Sequence, residues 1–120
     1  MKTNELQLVT FEQAKRLKTV GFDWYKVEYY YKDNKKLNYA ISNIQYNLLS
    51  DSYLAPSVAL ALKWFRDVEG FDYSIIKGRL PFEYSYSLLN GSIGMLHIKT
   101  YEAAESALLD ELLTLKERFA

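Results

Sequence analysis

The chain has 120 residues, about half of them hydrophobic and a quarter charged, with fifteen basic residues balanced by fifteen acidic ones. That length suits one globular domain over residues 1–120, and the balance disfavours a nucleic-acid or anionic-membrane binder, which carries a basic excess or stripe. Without cysteine there is no disulfide framework, thiolate nucleophile or zinc–thiolate site. The start lacks a signal-peptide core and no run is long enough to span a bilayer, so the expectation is a cytoplasmic protein with no membrane partner.

Leu6 to Val9 is a short apolar lead-in with strand character. Thr10 and Gln13 have the spacing of a capping box, in which each side chain accepts from the other's backbone N–H. The helix that follows runs to about Val20 and stops at Gly21. It turns Phe11, Ala14 and Leu17 inward and leaves Lys15, Arg16 and Lys18 as a solvated face near the negative end of its dipole.

Phe22 to Tyr31 alternates like a strand. Tyr25, Val27, Tyr29 and Tyr31 share the face expected to meet the core, and Trp24, Lys26, Glu28 and Tyr30 share the other. Asp33 to Lys36 is a polar turn, after which Leu37, Tyr39 and Ile41 alternate in a returning strand, giving a hairpin. Residues 42–54 have no clean period and read as a loop with one short turn. As the longest irregular stretch, it is where function would tend to sit.

The most apolar segment is the central helix, from Pro56 in its first turn to Gly70 at its end. Val58, Ala61, Leu62, Phe65 and Val68 form one face, and Leu60 and Trp64 widen it enough to pack on more than one neighbour. Strands are expected at Phe71 to Lys77, Phe82 to Leu89 and about Gly94 to Lys99, the last two joined by the Asn90-Gly91 turn. Thr100 caps the last helix, whose inward face is Tyr101, Ala104, Leu108, Leu112, Leu115 and Phe119.

The sum is an α+β fold in the order α-β-β-α-β-β(-β)-α. An antiparallel sheet of four to five strands is expected, with three helices packed mainly on one face. Gly21-Phe22-Asp23-Trp24 and Gly70-Phe71-Asp72-Tyr73 look alike. A glycine cap followed by an apolar residue that packs back on the helix accounts for the likeness. Duplication of a helix-plus-hairpin unit, over 10–41 and 56–89, is the alternative.

Thr10-Phe11-Glu12-Gln13-Ala14-Lys15-Arg16-Leu17-Lys18, Gly21-Phe22-Asp23, Ala55-Pro56-Ser57 leading to Lys63-Trp64-Phe65-Arg66, and Thr100-Tyr101-Glu102-Ala103-Ala104 together resemble a group of small uncharacterised proteins of gut bacteria, their phages and mobile elements. The likeness covers about a third of the chain, in order. Within the group Thr is usual at the position of Ser57 and a smaller apolar residue at that of Phe65. The resemblance implies a compact cytoplasmic domain with an accessory role in a phage or mobile element. It implies no activity, ligand or catalytic residue.

Little in the chain points to chemistry. His97 is the single histidine and has no evident orienting partner. Glu102 with Glu105, and Asp110 with Glu111, read as the wet face of the last helix rather than as metal ligands. Gly91-Ser92-Ile93-Gly94 lacks the lysine and the strand-to-helix setting of a phosphate loop. The expectation is therefore no enzyme, no catalytic residue, no metal and no cofactor.

The eleven tyrosines suit half-buried sheet surfaces and recognition surfaces alike. Trp24 and Tyr30, with Lys26 between them, are the candidate binding residues of a protein-interaction module, self-association included, provided nothing covers their face. The alternative is a single-strand nucleic-acid binder that stacks bases on the same rings and holds phosphates with Lys26, Lys32, Lys35 and Lys36. Net neutrality, and the neighbouring Glu28 and Asp33, weigh against it.

Overall fold

The computed structural model describes residues 7–24, 27–41, 44–78, 83–88, 93–98 and 100–118, with the backbone alone at 93–97. Thr10 and Gln13 form the expected box: Gln13 N donates to Thr10 Oγ1 at 3.1 Å and Thr10 N to Gln13 Oε1 at 2.9 Å. Helix α1 (Phe11–Thr19) starts there. It ends where Gly21 takes φ +98°, with Phe22 N donating to Leu17 O and Gly21 N to Lys18 O. Phe22 packs back on the helix and is buried, as this type of cap requires.

Strands β1 (Tyr29–Lys32) and β2 (Leu37–Tyr39) form the expected hairpin, shorter than the alternation predicts. Phe22 to Trp24 lie outside it. The stretch after the hairpin is more ordered than its sequence shows, with a 3-10 turn at Tyr46–Leu48 and a third strand, β3 (Ser52–Leu54), antiparallel to β1. Three residues are too few to carry a visible period. What fixes β3 is Tyr30, Tyr31 and Lys32 lying opposite it.

Helix α2 (Val58–Asp67) starts two residues later than Pro56 suggests. Ser57 is the cap and accepts from Leu60 N at 3.1 Å. Pro56 lies buried before the cap, its carbonyl accepting from Val9 N at 3.0 Å while Val58 N donates to Gln7 O at 2.8 Å. The apolar lead-in is thus reduced to one bridge, Leu8 to Ser57, and Leu6 lies outside the described residues. At the far end Gly70 has φ +76°, and Phe71 N reaches Phe65 O at 3.1 Å, a span one residue longer than at the end of α1.

The second half contributes β4 (Tyr73–Lys77), β5 (Tyr84–Leu88), β6 (Ile93–Ile98) and α3 (Tyr101–Arg118). Thr100 Oγ1 accepts from Ala103 N at 3.0 Å, capping α3. Phe82, the Asn90-Gly91 turn, Lys99 and Phe119 lie outside the described residues, and so does any account of the His97 side chain.

The single sheet of four to five strands is corrected to two antiparallel sheets of three, ordered β2-β1-β3 and β4-β5-β6. Each hairpin recruits a third strand from its own half of the chain, and no strand of one half pairs with a strand of the other among the described residues. The two sheets also differ in connection. The first puts its earliest strand in the middle, whereas the second is a simple meander.

Nor do the helices share one sheet face. Helix α1 lies on β3 and α3 lies on β4, β5 and β6, while α3 also packs against α1 and α2. This double duty explains why Leu109 and Leu113 are as buried as Leu108 and Leu112, a wider face than the single row expected. Tyr101, expected to point inward, is 45% exposed. The core brings together Leu17, Phe22, Leu54, Trp64, Phe65 and the leucines of α3, with the Phe22 and Trp64 rings 5.4 Å apart and nearly edge-on.

A polar seam joins α1 to α3. Gln13 Nε2 donates to Ser106 Oγ at 3.1 Å and to Asp110 Oδ1 at 3.0 Å. One turn on, Arg16 grips both oxygens of Glu117 at 2.9 Å and donates to Thr114 Oγ1 at 3.0 Å. The basic face of α1 is therefore not simply solvated. Lys18 also turns inward, donating to the carbonyls of Leu49 and Ser52 and lying 4.6 Å from the Tyr53 ring centre. Long cationic side chains laid over apolar surface behave in this way when acceptors lie at their reach.

Candidate functional site

The faces of the first sheet decide which aromatics are free. Tyr31 meets Phe11 edge-on at 5.6 Å, and its hydroxyl donates to Val9 O at 2.9 Å. Burial holds that phenol above its ordinary pKa. Tyr53, beside it, also meets Phe11 at 5.6 Å and donates to Asp33 Oδ1 at 2.6 Å. The bond to Asp33, with burial added, raises the Tyr53 phenol too. These rings belong to the packing of α1 on the sheet.

On the opposite face Tyr30 is not the open ring that alternation predicts. Tyr46 of the 3-10 turn stacks on it at 3.9 Å and 17°, and Tyr46 is itself buried. Trp24 is half-buried against the core, 6.4 Å from Phe22. Lys26 lies outside the described residues. The face is covered because the 44–54 stretch folds back over it: Asn47 Nδ2 donates to Phe22 O at 2.8 Å and Asn47 Oδ1 accepts from Leu54 N at 2.8 Å.

Two of the cations expected to hold phosphates are engaged. Lys32 stands 3.9 Å from Asp51, and Lys35 lies over the Phe11 ring at 5.8 Å.

The same fold leaves a different surface open. Lys32 N donates to Lys36 O at 3.0 Å and Ala40 N to Glu28 O at 2.8 Å, and Tyr30 lies opposite Asn38. In an antiparallel ladder this alternation turns the main-chain groups of Lys36, Asn38 and Ala40 toward β1 and those of Leu37 and Tyr39 away from it. Strand β2 is an edge, so the outward N–H and C=O groups of Leu37 and Tyr39 meet no strand among the described residues.

Apolar side chains accompany that edge. Tyr39 is 79% exposed, Ile41 61% and Leu48 82%, and Leu37, Ile44 and Leu49 are exposed with them. Most of the large hydrophobics exposed among the described residues thus fall in one short segment, 37–49. The Tyr39 ring is held 5.1 Å from that of Tyr29 across the hairpin, and the Ile41 N–H is held by the Tyr46 hydroxyl at 3.1 Å. Tyr46, which covers Tyr30, thus also helps to position the segment. Sequence reasoning placed Leu37, Tyr39 and Ile41 on one side of a strand without giving that side a role. The adjacent Leu48 and Leu49 in a polar, aperiodic stretch were the further signal.

Among the described residues no helix is long and apolar enough to cross a membrane. No family model, no curated protein and no solved structure matches the chain.

Proposed function

We propose that this protein is a non-catalytic protein-interaction module that pairs with a second copy of itself along β2. The observation that carries the reading is the open edge of β2, set among exposed Leu37, Tyr39 and Ile41. An open, apolar edge strand is a template for another strand, and natural proteins usually blunt such edges with charge, proline or a cover. The three residues of β2 carry none of these.

A second copy fits the edge by symmetry and by charge. Antiparallel pairing about a two-fold axis through Asn38 sets Leu37 of each copy against Tyr39 of the other. It sets Lys36 against Ala40, so the lysines of the turn do not face their own images. The two sheets would then join into one of six strands. The resemblance noted above supports a phage or mobile-element origin, and the composition supports a cytoplasmic setting.

Light scattering over a concentration series tests the reading. The expected result is a mass that rises toward twice that of the monomer and returns to the monomer value in Tyr39→Lys and in Leu37→Lys. A wild-type protein that stays monomeric, or lysine variants that dimerise as the wild type does, would overturn it. Single-stranded nucleic-acid binding is the alternative reading, weakened by the covered Tyr30 ring and by the contacts of Lys32 and Lys35. An oligonucleotide that shifts the mass, less so as salt rises, would restore it.

A further inference from the structure

Helix α2, strand β4 and the first turns of α3 enclose an open cleft of about 510 Å³ on another part of the molecule. Leu62 and Ile75 give it an apolar lining, and Tyr73 and Tyr101 stand in its walls. The volume falls within the range of small-molecule sites, in which a few polar groups orient a ligand over apolar surface.

Two opposite charges stand in this cleft without pairing. The Arg66 guanidinium lies 4.5 Å from the centre of the Tyr73 ring, held by the ring face, and has no carboxylate partner among the described residues. Lys63, one turn earlier, is already tied to Asp67 at 2.6 Å. Glu105 enters from α3, and its carboxyl group has neither a hydrogen bond nor an ion pair among the described residues.

Burial, with Glu102 nearby, holds the Glu105 carboxyl above its ordinary pKa. The Tyr73 phenol, raised chiefly by burial, is pulled down by Arg66 and pushed up by Glu105. Both charges therefore act on one hydroxyl, yet neither neutralises the other. A protein-built ion pair would have closed this gap. A ligand that carries both complementary charges would bridge it.

We propose that the cleft binds a small zwitterion of the α-amino acid class. Its carboxylate lies on Arg66, which offers the planar donor pair a carboxylate prefers. Its ammonium lies on Glu105, and its side chain rests on Leu62 and Ile75 beside the tyrosines. This site is independent of the β2 edge, so either reading can fail alone.

The test is a titration of the labelled protein with L-phenylalanine, followed by two-dimensional NMR and repeated with 3-phenylpropionate and with 2-phenylethylamine. Each analogue lacks one of the two charges. Saturable shifts at Tyr73, Ile75 and Glu105 are expected with L-phenylalanine, with each analogue about tenfold weaker or worse. Arg66→Gln should weaken L-phenylalanine about tenfold and leave 2-phenylethylamine unchanged, and Glu105→Gln should weaken L-phenylalanine about tenfold and leave 3-phenylpropionate unchanged. No saturable shift at these residues up to about 10 mM, or analogues that bind as well as the amino acid, would overturn the proposal. That comparison is made on the wild-type protein and does not depend on any variant folding.

Discussion

The Gln13 side chain that closes the capping box of α1 also donates to Asp110 of α3 at 3.0 Å. Its two ends therefore do different work. The carbonyl oxygen is spent on the start of its own helix, and the amide nitrogen on a helix from the other end of the chain. Gln13 is 4% exposed, while its partners Thr10 and Asp110 reach solvent.

Gln13→Ala should cost about 1–2 kcal/mol, combining a lost cap contact with the lost bonds to α3. Gln13→Glu keeps the acceptor but sets a carboxylate against that of Asp110, so it should cost at least as much as Gln13→Ala at neutral pH. Urea unfolding of the three proteins gives the order. A Glu variant as stable as the wild type would show that the bonds to α3 contribute nothing.

The Arg16–Glu117 pair should make stability fall in acid. Hydrogen bonding to Arg16 lowers the Glu117 carboxyl below its reference value of 4.5, and Glu117 in turn raises Arg16. A carboxyl depressed in the folded state contributes above its unfolded pKa, and the contribution is lost as pH falls through the folded value. The pair sits near the surface, so screening keeps the effect below about 1 kcal/mol. Melting curves of wild type and Glu117→Gln should differ at pH 6 and draw together as the pH falls well below 4.5, a direction that follows from the reference value and the downward shift. Equal separation throughout would remove the pair from the account.

Trp64 is 1% exposed, and its indole N–H has no hydrogen-bond partner among the described residues. An unmet buried donor costs roughly 1–3 kcal/mol, which offsets part of what the ring contributes by burial. Trp64→Phe should therefore lie within about 1 kcal/mol of wild type, whereas Trp64→Ala should cost about 3–5 kcal/mol through the cavity it leaves. Chemical denaturation of both variants tests this. A Phe variant as damaged as the Ala variant would mean that the indole shape, and not its unmet donor, decides the site.

Gly21 and Gly70 both take positive φ, with no atom within 4 Å of an added Cβ. Alanine at either position should thus cost only the backbone term, about 1–2 kcal/mol. At Gly70, φ +76° lies close to the left-handed region that asparagine tolerates, whereas φ +98° at Gly21 lies further from it. Gly70→Asn should therefore be milder than Gly21→Asn. Thermal denaturation of the two asparagine variants gives the order, and the reverse order would defeat the argument.

These glycines also mark what the sequence made legible. Thr10 with Gln13, Thr100, Gly21 and Gly70 act over three or four residues, so their roles can be read without the rest of the fold. Strand β3 could not be read so, because Ser52, Tyr53 and Leu54 become a strand only through β1. Alternation placed Tyr30 opposite the core stripe, but it carried no information about what would cover that face, and Tyr46 covers it. The hairpin signals fixed strand pairs and left open whether two hairpins share an edge. The open edge at Leu37 and Tyr39 depends on which neighbour each backbone group faces, which no local pattern records.

The seam from Gln13 and Arg16 to α3 joins residues 93 to 101 positions apart. During synthesis α1 is made before α3, and its capping box needs no distant residue. The groups that complete its packing, Ser106, Asp110, Thr114 and Glu117, follow only some 93 to 101 positions later. The nascent chain must therefore hold α1 with the polar groups of Gln13 and Arg16 unmet until α3 is released. A truncation that stops before Ser106 would leave that helix capped, charged on one side and permanently waiting.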